Sequence, residues 1–224
     1  MNRCVEMLLF LRAKNSMSIQ ESYNEWAGQY DSNQNKTRDL EAFSLQENLG
    51  KIHFENCLEI GCGSGKNTEW LVQRSATITA VDFSQGMLDK AKEKIPSKHV
   101  NFIQADITNP WTFAANAAFD LVTFSLVLEH IKNLDLVFQQ TNAVLKPGGY
   151  LYIGELHPFK QYLGSKARFE SETGTTTLEC YTHSISEYLQ LSRKHGFVLE
   201  AFNEYLDEET SVPRILAMLF TKQR

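Results

Sequence analysis

The chain has 224 residues, 42% hydrophobic and 22% charged, which is the composition of an ordinary globular protein. Its formal net charge of −5 disfavours a broad nucleic-acid-binding surface, because such surfaces are basic. No apolar run is long enough to cross a bilayer, so we expect no membrane partner. The four cysteines form no C-x-x-C pair, which predicts reduced thiols and a cytoplasmic location.

Residues 1–17 are predicted to be an N-terminal extension, to which we assign no function. The short apolar run from Met7 to Leu11 faintly resembles a signal peptide, but Glu6 interrupts the apolar core and no small-residue cleavage site follows. From residue 18 onwards there is no repeat, low-complexity tract or linker. We therefore expect residues 18–224 to form a single domain.

The predicted elements alternate between strand and helix after two initial helices over 18–30 and 40–49. They continue with strand 56–60, helix 66–74, strand 77–81, helix 85–94, strand 100–104, a loop with a short helix over 110–118, strand 119–125, helix 134–145 and strand 150–154. Strands that alternate with helices indicate βαβ units. The predicted fold class is therefore α/β with a mostly parallel sheet.

The C-terminal part departs from this alternation. Residues 157–182 are polar, aromatic and irregular, and a connection of this length predicts a substrate loop at about 156–183. Helix 185–195 follows, with Ser184 as its cap and Glu187 three residues later to complete a capping box. Two further strands, over 197–202 and 215–221, are predicted to form a closing hairpin.

A glycine-rich turn follows the first predicted strand, where Leu58 to Gly65 reads Leu-Glu-Ile-Gly-Cys-Gly-Ser-Gly. Glycines there let the backbone turn sharply and approach a ligand closely, which a Cβ would prevent. Asp82 ends the next strand, where a carboxylate can accept hydrogen bonds from two ribose hydroxyls. The two features together predict a nucleoside site at the carboxyl edge of the sheet.

Two other functions fit parts of this pattern. Nicotinamide binding usually has a G-x-G-x-x-G turn, whereas this turn is G-x-G-x-G, with Lys66 and Asn67 in place of a third glycine near a pyrophosphate. A non-catalytic nucleotide-binding or regulatory module is an alternative of a different class. The acids at Glu59, Asp82 and Asp106 do not exclude it, because they concern binding and not turnover.

Five motifs in this order resemble those of the class I S-adenosylmethionine-dependent methyltransferases, small-molecule branch. They are Leu58–Gly65, Val81–Leu88, Ala105–Ile107, Phe119–Val122 and Leu145–Gly149. The resemblance covers nearly all of residues 18–224. It implies S-adenosyl-L-methionine as cofactor and a Rossmann-like methyltransferase fold: a doubly wound, mostly parallel seven-stranded sheet with an antiparallel last strand. The N-terminal segment 23–31 looks like the lid of that branch, so the first helices are expected to be lid helices.

The resemblance also implies which residues contact the cofactor. Glu59 would lie near the methionine ammonium, Asp82 would bind the ribose diol, and Asp106 would accept from the adenine amine. Phe83 or Met87 would contact the adenine face, although their four-residue spacing fits helix packing equally well. The full predicted cofactor-binding set is Tyr23, Tyr30, Glu59, Gly61, Cys62, Gly63, Asp82, Phe83, Met87, Ala105, Asp106, Ile107 and Ser125.

The acceptor is less well determined. After the fourth strand the chain lacks the Asn/Asp-Pro-Pro-aromatic quartet typical of enzymes that methylate planar amino groups, which with the acidic charge points away from nucleic acid and toward a small molecule. A methyltransferase that acts on RNA or protein is the alternative. In-line methyl transfer needs a base only if the nucleophile carries a proton. The candidate catalytic residues are His130, His157 and His183, each of which also fits a cap, packing or surface role. Asp120 is interpreted as structural, no metal site is expected, and the oligomeric state is open.

Overall fold

The computed structural model describes residues 18–28, 30, 35–171, 174–207 and 211–223, so the predicted extension over 1–17 lies outside it. The helices are α1 (Ile19–Trp26), α2 (Lys36–Leu49), α3 (Lys66–Leu71), α4 (Gln85–Lys94), α5 (Asp135–Val144), α6 (Pro158–Tyr162) and α7 (Ile185–Lys194). The strands are β1 (Asn56–Ile60), β2 (Thr77–Asp82), β3 (Val100–Gln104), β4 (Phe119–Ser125), β5 (Leu145–Leu156), β6 (Arg168–Ser171), β7 (Gly174–Thr177), β8 (Phe197–Leu206) and β9 (Pro213–Lys222).

Seven strands form one sheet in the order β3-β2-β1-β4-β5-β9-β8. The pairs β1–β2, β2–β3, β1–β4 and β4–β5 are parallel, whereas β9 is antiparallel to both β5 and β8. This confirms the predicted doubly wound, mostly parallel seven-stranded sheet with an antiparallel last strand. The strand order reverses between β1 and β4, and ligands of such sheets bind outside the carboxyl ends of the strands at that reversal.

The core lies on both faces of the sheet, because neighbouring residues of a strand point to opposite sides. In β1, Cys57 belongs to one buried apolar cluster and Leu58 to the other; in β4, Leu121 and Val122 divide in the same way. Strands buried on both faces are typical of parallel sheets covered by helices. The described cysteines are free thiols, as predicted.

Asp120 has the predicted structural role at the start of β4. Its carboxylate accepts hydrogen bonds from the backbone N–H of Asn56 at 2.9 Å and of Glu55 at 3.2 Å. The Lys146 ammonium lies 2.6 Å away on the other oxygen. The carboxylate thereby joins the entry of β1 to the start of β5.

Most predicted elements are observed, and α4, β3 and β4 have the predicted bounds. α2 begins earlier than predicted, at Lys36, because the Asn35 side chain accepts from the backbone N–H groups of Thr37 and Arg38 at 3.0 and 3.1 Å. This cap satisfies donors that the helix itself leaves unpaired. α1 ends at Trp26, one turn before the predicted end.

The predicted short helix within residues 110–118 was wrong, because that segment consists of turns. Side chains replace the hydrogen bonds that a helix would supply. The indole Nε1 of Trp111 donates to the Ile107 carbonyl at 3.0 Å, and its backbone N–H donates to Gln140 Oε1 at 2.6 Å. A turn held by long-range side-chain contacts leaves no periodic pattern in the local sequence.

The prediction of an irregular loop over residues 157–182 was also wrong. The segment contains α6 and the antiparallel pair β6–β7. α6 begins at Pro158, which suits a first helical position, and the His157 ring accepts from the Phe159 backbone N–H at 3.1 Å. No described helix has both the length and the apolar character needed to cross a membrane.

Candidate active site

A cavity of about 1060 Å³ opens at the carboxyl edge of the sheet, over the ends of β1, β2 and β4. Its walls come from the turns after these strands, from α1 and α2 above them, and from the segment between α6 and β6. Each residue of the predicted cofactor-binding set lines it, as does His130. The fold therefore brings together residues that lie more than 100 positions apart in the sequence, from Tyr23 to His130.

The glycine turn after β1 has the backbone geometry that its sequence predicts. Gly61, Gly63 and Gly65 have φ values of +74°, +54° and +86°, in the left-handed region that favours glycine. A Cβ at Gly61 would lie 1.9 Å from a side-chain carbon of Val127, so the approach of the two segments excludes any larger residue. The three glycines thus place backbone, and no side chain of their own, at this wall of the cavity.

Asp82, at the end of β2, is oriented by backbone donors. Its Oδ2 accepts from the Gly63 N–H at 2.9 Å and its Oδ1 from the Ser84 N–H at 2.8 Å. Burial raises the pKa of Asp82, and these N–H groups oppose that shift because they stabilise the ionised form. Each oxygen retains a lone pair for a further donor, which suits a diol.

Asp106, after β3, lines the cavity and also shapes its own turn. Its Oδ1 accepts from the Thr108 N–H at 2.9 Å and from the Thr108 hydroxyl at 2.6 Å. Met87 is buried and contributes to the core at the start of α4, while Phe83 is partly exposed at the cavity. Asp106 and Met87 therefore each have a structural role as well as a place in the cavity wall: Asp106 stabilises its turn, and Met87 packs in the core.

Two buried carboxyl groups line the cavity. Glu59 Oε2 accepts from the Thr68 hydroxyl at 2.6 Å, and burial raises its pKa to about 8. Glu41 Oε2 accepts from Asn67 Nδ2 at 2.9 Å, and burial raises its pKa to about 7. Sequence reasoning missed Glu41; its place one turn before the buried Leu45 on α2 is the signal that could have revealed its inward direction.

Arg38, also on α2, is a second cavity residue that the sequence interpretation missed. Its guanidinium carbon lies 3.9 Å from the centroid of the Tyr30 ring and 5.7 Å from that of Trp26. One of its nitrogens donates to the Tyr30 carbonyl at 2.8 Å. The stacked cation holds Tyr30 in place and puts a positive charge at this part of the cavity wall.

His130 and Tyr23 meet across the cavity. The Tyr23 hydroxyl oxygen lies 2.9 Å from His130 Nε2, and His130 Nδ1 lies 3.1 Å from the Glu179 carbonyl. A carbonyl only accepts, so we assign the proton to Nδ1 and leave Nε2 to accept from Tyr23. Burial, aided by nearby Tyr30 and Glu129, raises the pKa of Tyr23 well above its usual value, which keeps the phenol a donor.

The structure does not bring His157 to the cavity, contrary to its candidacy as a catalytic residue. Its side chain is 6% exposed, and Nε2 lies 2.9 Å from Glu204 Oε1. Its other ring nitrogen accepts from the Phe159 N–H at the start of α6. His157 therefore holds α6 against β8.

His183 is also placed away from the cavity. Its Nε2 lies 2.8 Å from the Ile131 carbonyl and its Nδ1 lies 3.1 Å from Glu187 Oε1. Ser184 caps α7 as predicted, through a 3.1 Å hydrogen bond from the Glu187 N–H. A capping box also requires the Glu187 carboxylate to accept from the Ser184 backbone N–H. That carboxylate contacts His183 instead, so only the first half of the predicted capping box forms.

Glu129, His130 and Cys180 place a carboxylate oxygen, a ring nitrogen and a sulfur within 4.8 Å of one another, an arrangement that could hold a metal ion. The group already has hydrogen-bond partners. Gln161 Nε2 donates to Glu129 Oε2 at 3.0 Å, and burial together with Glu129 raises the pKa of the Cys180 thiol to about 12. No motif in the sequence predicts this cluster, because Cys180 lies 50 residues away from His130.

The segment from the end of α6 to the start of β6 forms another wall of the cavity. Leu163, Lys166 and Arg168 line the cavity there, together with Arg214 at the start of β9. Lys160, on α6, does not line it; its ammonium lies 3.4 Å from Asp207. We call the part formed by Lys166, Arg168 and Arg214 the cationic wall, whereas the ends of β1 and β2 carry Glu59 and Asp82 and the turn after β3 carries Asp106.

The strand order, the glycine turn and the acid after β2 are those of a doubly wound sheet with a nucleoside site at the reversal of its strand order. Residues 58–153 match the family described as a methyltransferase domain, so this part of the chain is a methyltransferase domain. Solved structures with the same fold are S-adenosylmethionine-dependent methyltransferases, which indicates S-adenosyl-L-methionine as the cofactor.

Named relatives are similar over different parts of the chain. The biotin biosynthesis bifunctional protein BioHC of Cellvibrio japonicus is 32% identical over 62% of the chain, but the match spans 27% of that protein. The uncharacterized methyltransferase AN0656 of Emericella nidulans is 25% identical over 91% of the chain and 85% of its own length. The malonyl-[acyl-carrier protein] O-methyltransferase of Priestia megaterium is 28% identical over 83% and 72% respectively.

Solved structures share the fold at low sequence identity. The N-methyltransferase NodS of Bradyrhizobium japonicum, in complex with S-adenosyl-L-homocysteine, has a TM-score of 0.70 at 17% identity over 92% of this chain and 98% of that one. An S-adenosylmethionine-dependent methyltransferase from Mesorhizobium loti has a TM-score of 0.68 at 19% identity, over 82% and 98%. These likenesses support the fold.

Proposed function

We propose that the chain methylates a small-molecule acceptor whose nucleophile carries a proton, with Tyr23 and His130 as the groups that accept this proton. The hydrogen bond between these two side chains inside the cavity is the observation that carries the proposal. A proton acceptor is needed because a hydroxyl or amine that attacks a methyl group becomes acidic as the new bond forms.

The cavity fits the cofactor at its acidic side. Asp82 would bind the ribose hydroxyls, Asp106 the adenine amine, and Arg38 the methionine carboxylate. The cofactor supplies a methyl group on a sulfonium, whose sulfur keeps the bonding electron pair when an acceptor attacks in line. Trp26 and Tyr30 line the cavity with their rings in contact; over a bound cofactor they would exclude water, which strengthens electrostatic contacts inside a site.

Proton transfer would run from the acceptor to the Tyr23 oxygen while the Tyr23 proton passes to His130 Nε2. The histidine then holds protons on both nitrogens, and Nδ1–H remains bonded to the Glu179 carbonyl. Glu129, whose carboxylate lies within 4.8 Å of the His130 ring nitrogen, would stabilise the positive imidazolium.

A small acceptor is supported by the shape of the site and by the relatives. The space beside His130 is enclosed by α1, by the segment after β4 and by residues 163–168, which suits a metabolite more than a folded macromolecule. The relative from Priestia megaterium is named an O-methyltransferase, whereas the structural neighbour NodS is named an N-methyltransferase. Both oxygen and nitrogen nucleophiles therefore remain within the proposal.

The test is transfer of a labelled methyl group from S-adenosylmethionine into fractionated metabolites, RNA and protein. We expect label in the small-molecule fraction, and loss of that label in Tyr23→Phe. Incorporation into RNA or protein alone would overturn the acceptor class. Binding of S-adenosylhomocysteine without transfer to any fraction would favour a regulatory module instead.

A further inference from the structure

Glu41 is an acid buried in the cavity wall; the charge of Lys66 favours its ionised form, but no ion pair with Glu41 is seen among the described residues. It is 2% exposed, and within the described residues no Lys, Arg or His nitrogen forms an ion pair with it. Its Oε1 lies 3.4 Å from the Tyr152 hydroxyl, and a Cβ on Gly154 would lie 2.6 Å from the same oxygen. The carboxyl group is thus held closely by β5. A buried acid in this position is costly unless a positive group joins it.

Two further oxygens beside Glu41 lack hydrogen-bond partners. Asn67 donates its Nδ2 to Glu41, which leaves Asn67 Oδ1 buried and unsatisfied; Asn67 is 9% exposed. Ser125 Oγ, at the end of β4, is also buried without a well-formed hydrogen bond; its hydroxyl lies beside the Glu41 carboxyl and lowers the pKa of that acid, and its oxygen keeps a lone pair for a further donor. Buried polar atoms are rarely left unpaired, so the pair indicates a missing donor-rich group.

The three oxygen-bearing groups match the donors of a primary ammonium. An ammonium has three N–H donors and no acceptor, and it brings the positive charge that the Glu41 carboxylate lacks. All three residues line the cavity that holds the cofactor-binding set. Arg38 lies three positions before Glu41 on α2 and also lines the cavity, so one helix presents a cation and an acid to it.

We propose that Glu41, Asn67 Oδ1 and Ser125 Oγ form the binding site for the α-ammonium group of S-adenosylmethionine. The inference rests on the proposed function, in that the cofactor must bind in this cavity. Glu59, the residue expected from sequence to lie near the ammonium, has Oε2 bound to the Thr68 hydroxyl. Glu59 and Glu41 repel each other when both are ionised, and a cation bound at Glu41 offsets that repulsion.

The experiment compares two ligands on the full chain by calorimetry. S-adenosylhomocysteine carries the amino-acid end, whereas 5′-methylthioadenosine keeps the nucleoside and the sulfur and lacks it. In Glu41→Gln, which preserves shape and removes the charge, we expect S-adenosylhomocysteine to bind about tenfold more weakly or worse, as for loss of a charged hydrogen bond. Methylthioadenosine should bind as it does to the unmodified chain, which also reports that the variant is folded.

Two further variants sharpen the test. Ser125→Ala should weaken S-adenosylhomocysteine binding severalfold and leave methylthioadenosine binding unchanged. Glu69→Gln removes an exposed carboxylate from the first turn of α3 and should change neither affinity. The ratio of the two dissociation constants is therefore the decisive quantity.

An equal change for both ligands in Glu41→Gln, or no change for either, would overturn the inference. Unchanged S-adenosylhomocysteine affinity with lost methyl transfer would overturn it too, and would assign the site to an amine on the acceptor. Failure of the unmodified chain to bind either ligand would instead contradict the proposed function.

Discussion

The Tyr23 hydroxyl and the His130 ring are joined by a 2.9 Å contact that links α1 to the turn after β4 across the cavity. Tyr23→Phe removes the hydroxyl and keeps the ring. If Tyr23 relays the acceptor proton, turnover should fall by about 10²- to 10⁴-fold, the range for loss of a general base. His130→Gln should have a similar effect, because glutamine does not take up the proton.

The measurement that separates catalysis from structure is the comparison of turnover with cofactor affinity. In His130→Gln turnover should fall while S-adenosylhomocysteine affinity stays the same, because the histidine is proposed to take up the acceptor proton and not to hold the cofactor. A variant with full turnover would show that the pair only closes the cavity.

Asp82→Ala should weaken binding of S-adenosylhomocysteine. A carboxylate that accepts from a neutral hydroxyl contributes about 1.5–3 kcal/mol, which corresponds to a loss of roughly 10- to 150-fold in affinity. Because Gly63 and Ser84 donate to this carboxylate, the variant also disturbs the turn, so thermal unfolding must be measured beside calorimetry. Lower stability with unchanged affinity in the folded fraction would make Asp82 a structural residue.

The features that could be predicted from sequence are those set by local pattern. The start of α4 follows from Ser84, whose hydroxyl accepts a hydrogen bond from the Met87 N–H and so caps the helix. The turn after β1 follows from its glycines, because they adopt the positive φ values that the turn requires. Each cofactor-binding candidate lines the cavity because strand ends in a doubly wound sheet converge at one edge. Local rules of helix capping, turn geometry and strand position were therefore sufficient to predict these features.

The features that sequence did not reveal depend on contacts between distant segments. Glu41 and Arg38 lie within a polar helix of weak periodicity, and their direction is set by packing of α2 over the sheet. His157 was a candidate because it follows the fifth strand, and His183 because the segment before the late helix resembles a wall of the acceptor pocket. Contacts with Glu204 and with the Ile131 carbonyl hold the two rings away from the cavity. A candidate histidine cannot be assigned without knowing which partner its nitrogens meet.

The stability of the ligand-free protein should fall as pH rises from about 5 to 8. Burial raises the pKa of Glu41 to about 7 and of Glu59 and Glu155 to about 8. A carboxyl with a raised pKa stabilises the fold fully below its unfolded value near 4.5, and that contribution is lost as pH rises through the folded value. Each group contributes at most about 1.4 kcal/mol per pH unit within that window.

Thermal unfolding at several pH values measures this effect. Glu41→Gln should flatten part of the slope, because glutamine does not titrate, whereas the exposed control Glu69→Gln should leave it intact. A melting temperature that stays constant or increases between about pH 5 and 8 would contradict the prediction.

α1 should act as a lid that opens without cofactor. Polar contacts tie it to the segment after β2: Gln20 Nε2 donates to the Phe83 carbonyl at 2.7 Å, and Asn24 Oδ1 accepts from the Ser84 hydroxyl at 2.7 Å. α1 also buries Trp26 against Leu178, but this small cluster is separate from the two clusters that cover the sheet, so the helix opens at a lower free-energy cost than the sheet does. Hydrogen exchange of its amides should be fast in the free protein and slow with S-adenosylhomocysteine. Equally slow exchange in both states would show that α1 is a permanently packed part of the fold and not a lid.

The charge of the acceptor can be tested at the cationic wall. Lys166 and Arg168 line the cavity and are exposed, so an anionic acceptor would meet them beside Arg214. With such an acceptor, Lys166→Gln and Arg168→Gln should each raise its KM and change kcat little, because they hold a group remote from the reacting atom. Lys160→Gln is the matched control, since that ammonium lies by Asp207 and does not line the cavity.

The KM effect of the two cavity variants should shrink as salt is added, because screening weakens interactions between exposed charges. A KM that is equal in all three variants would show that the acceptor has no anionic group at this wall.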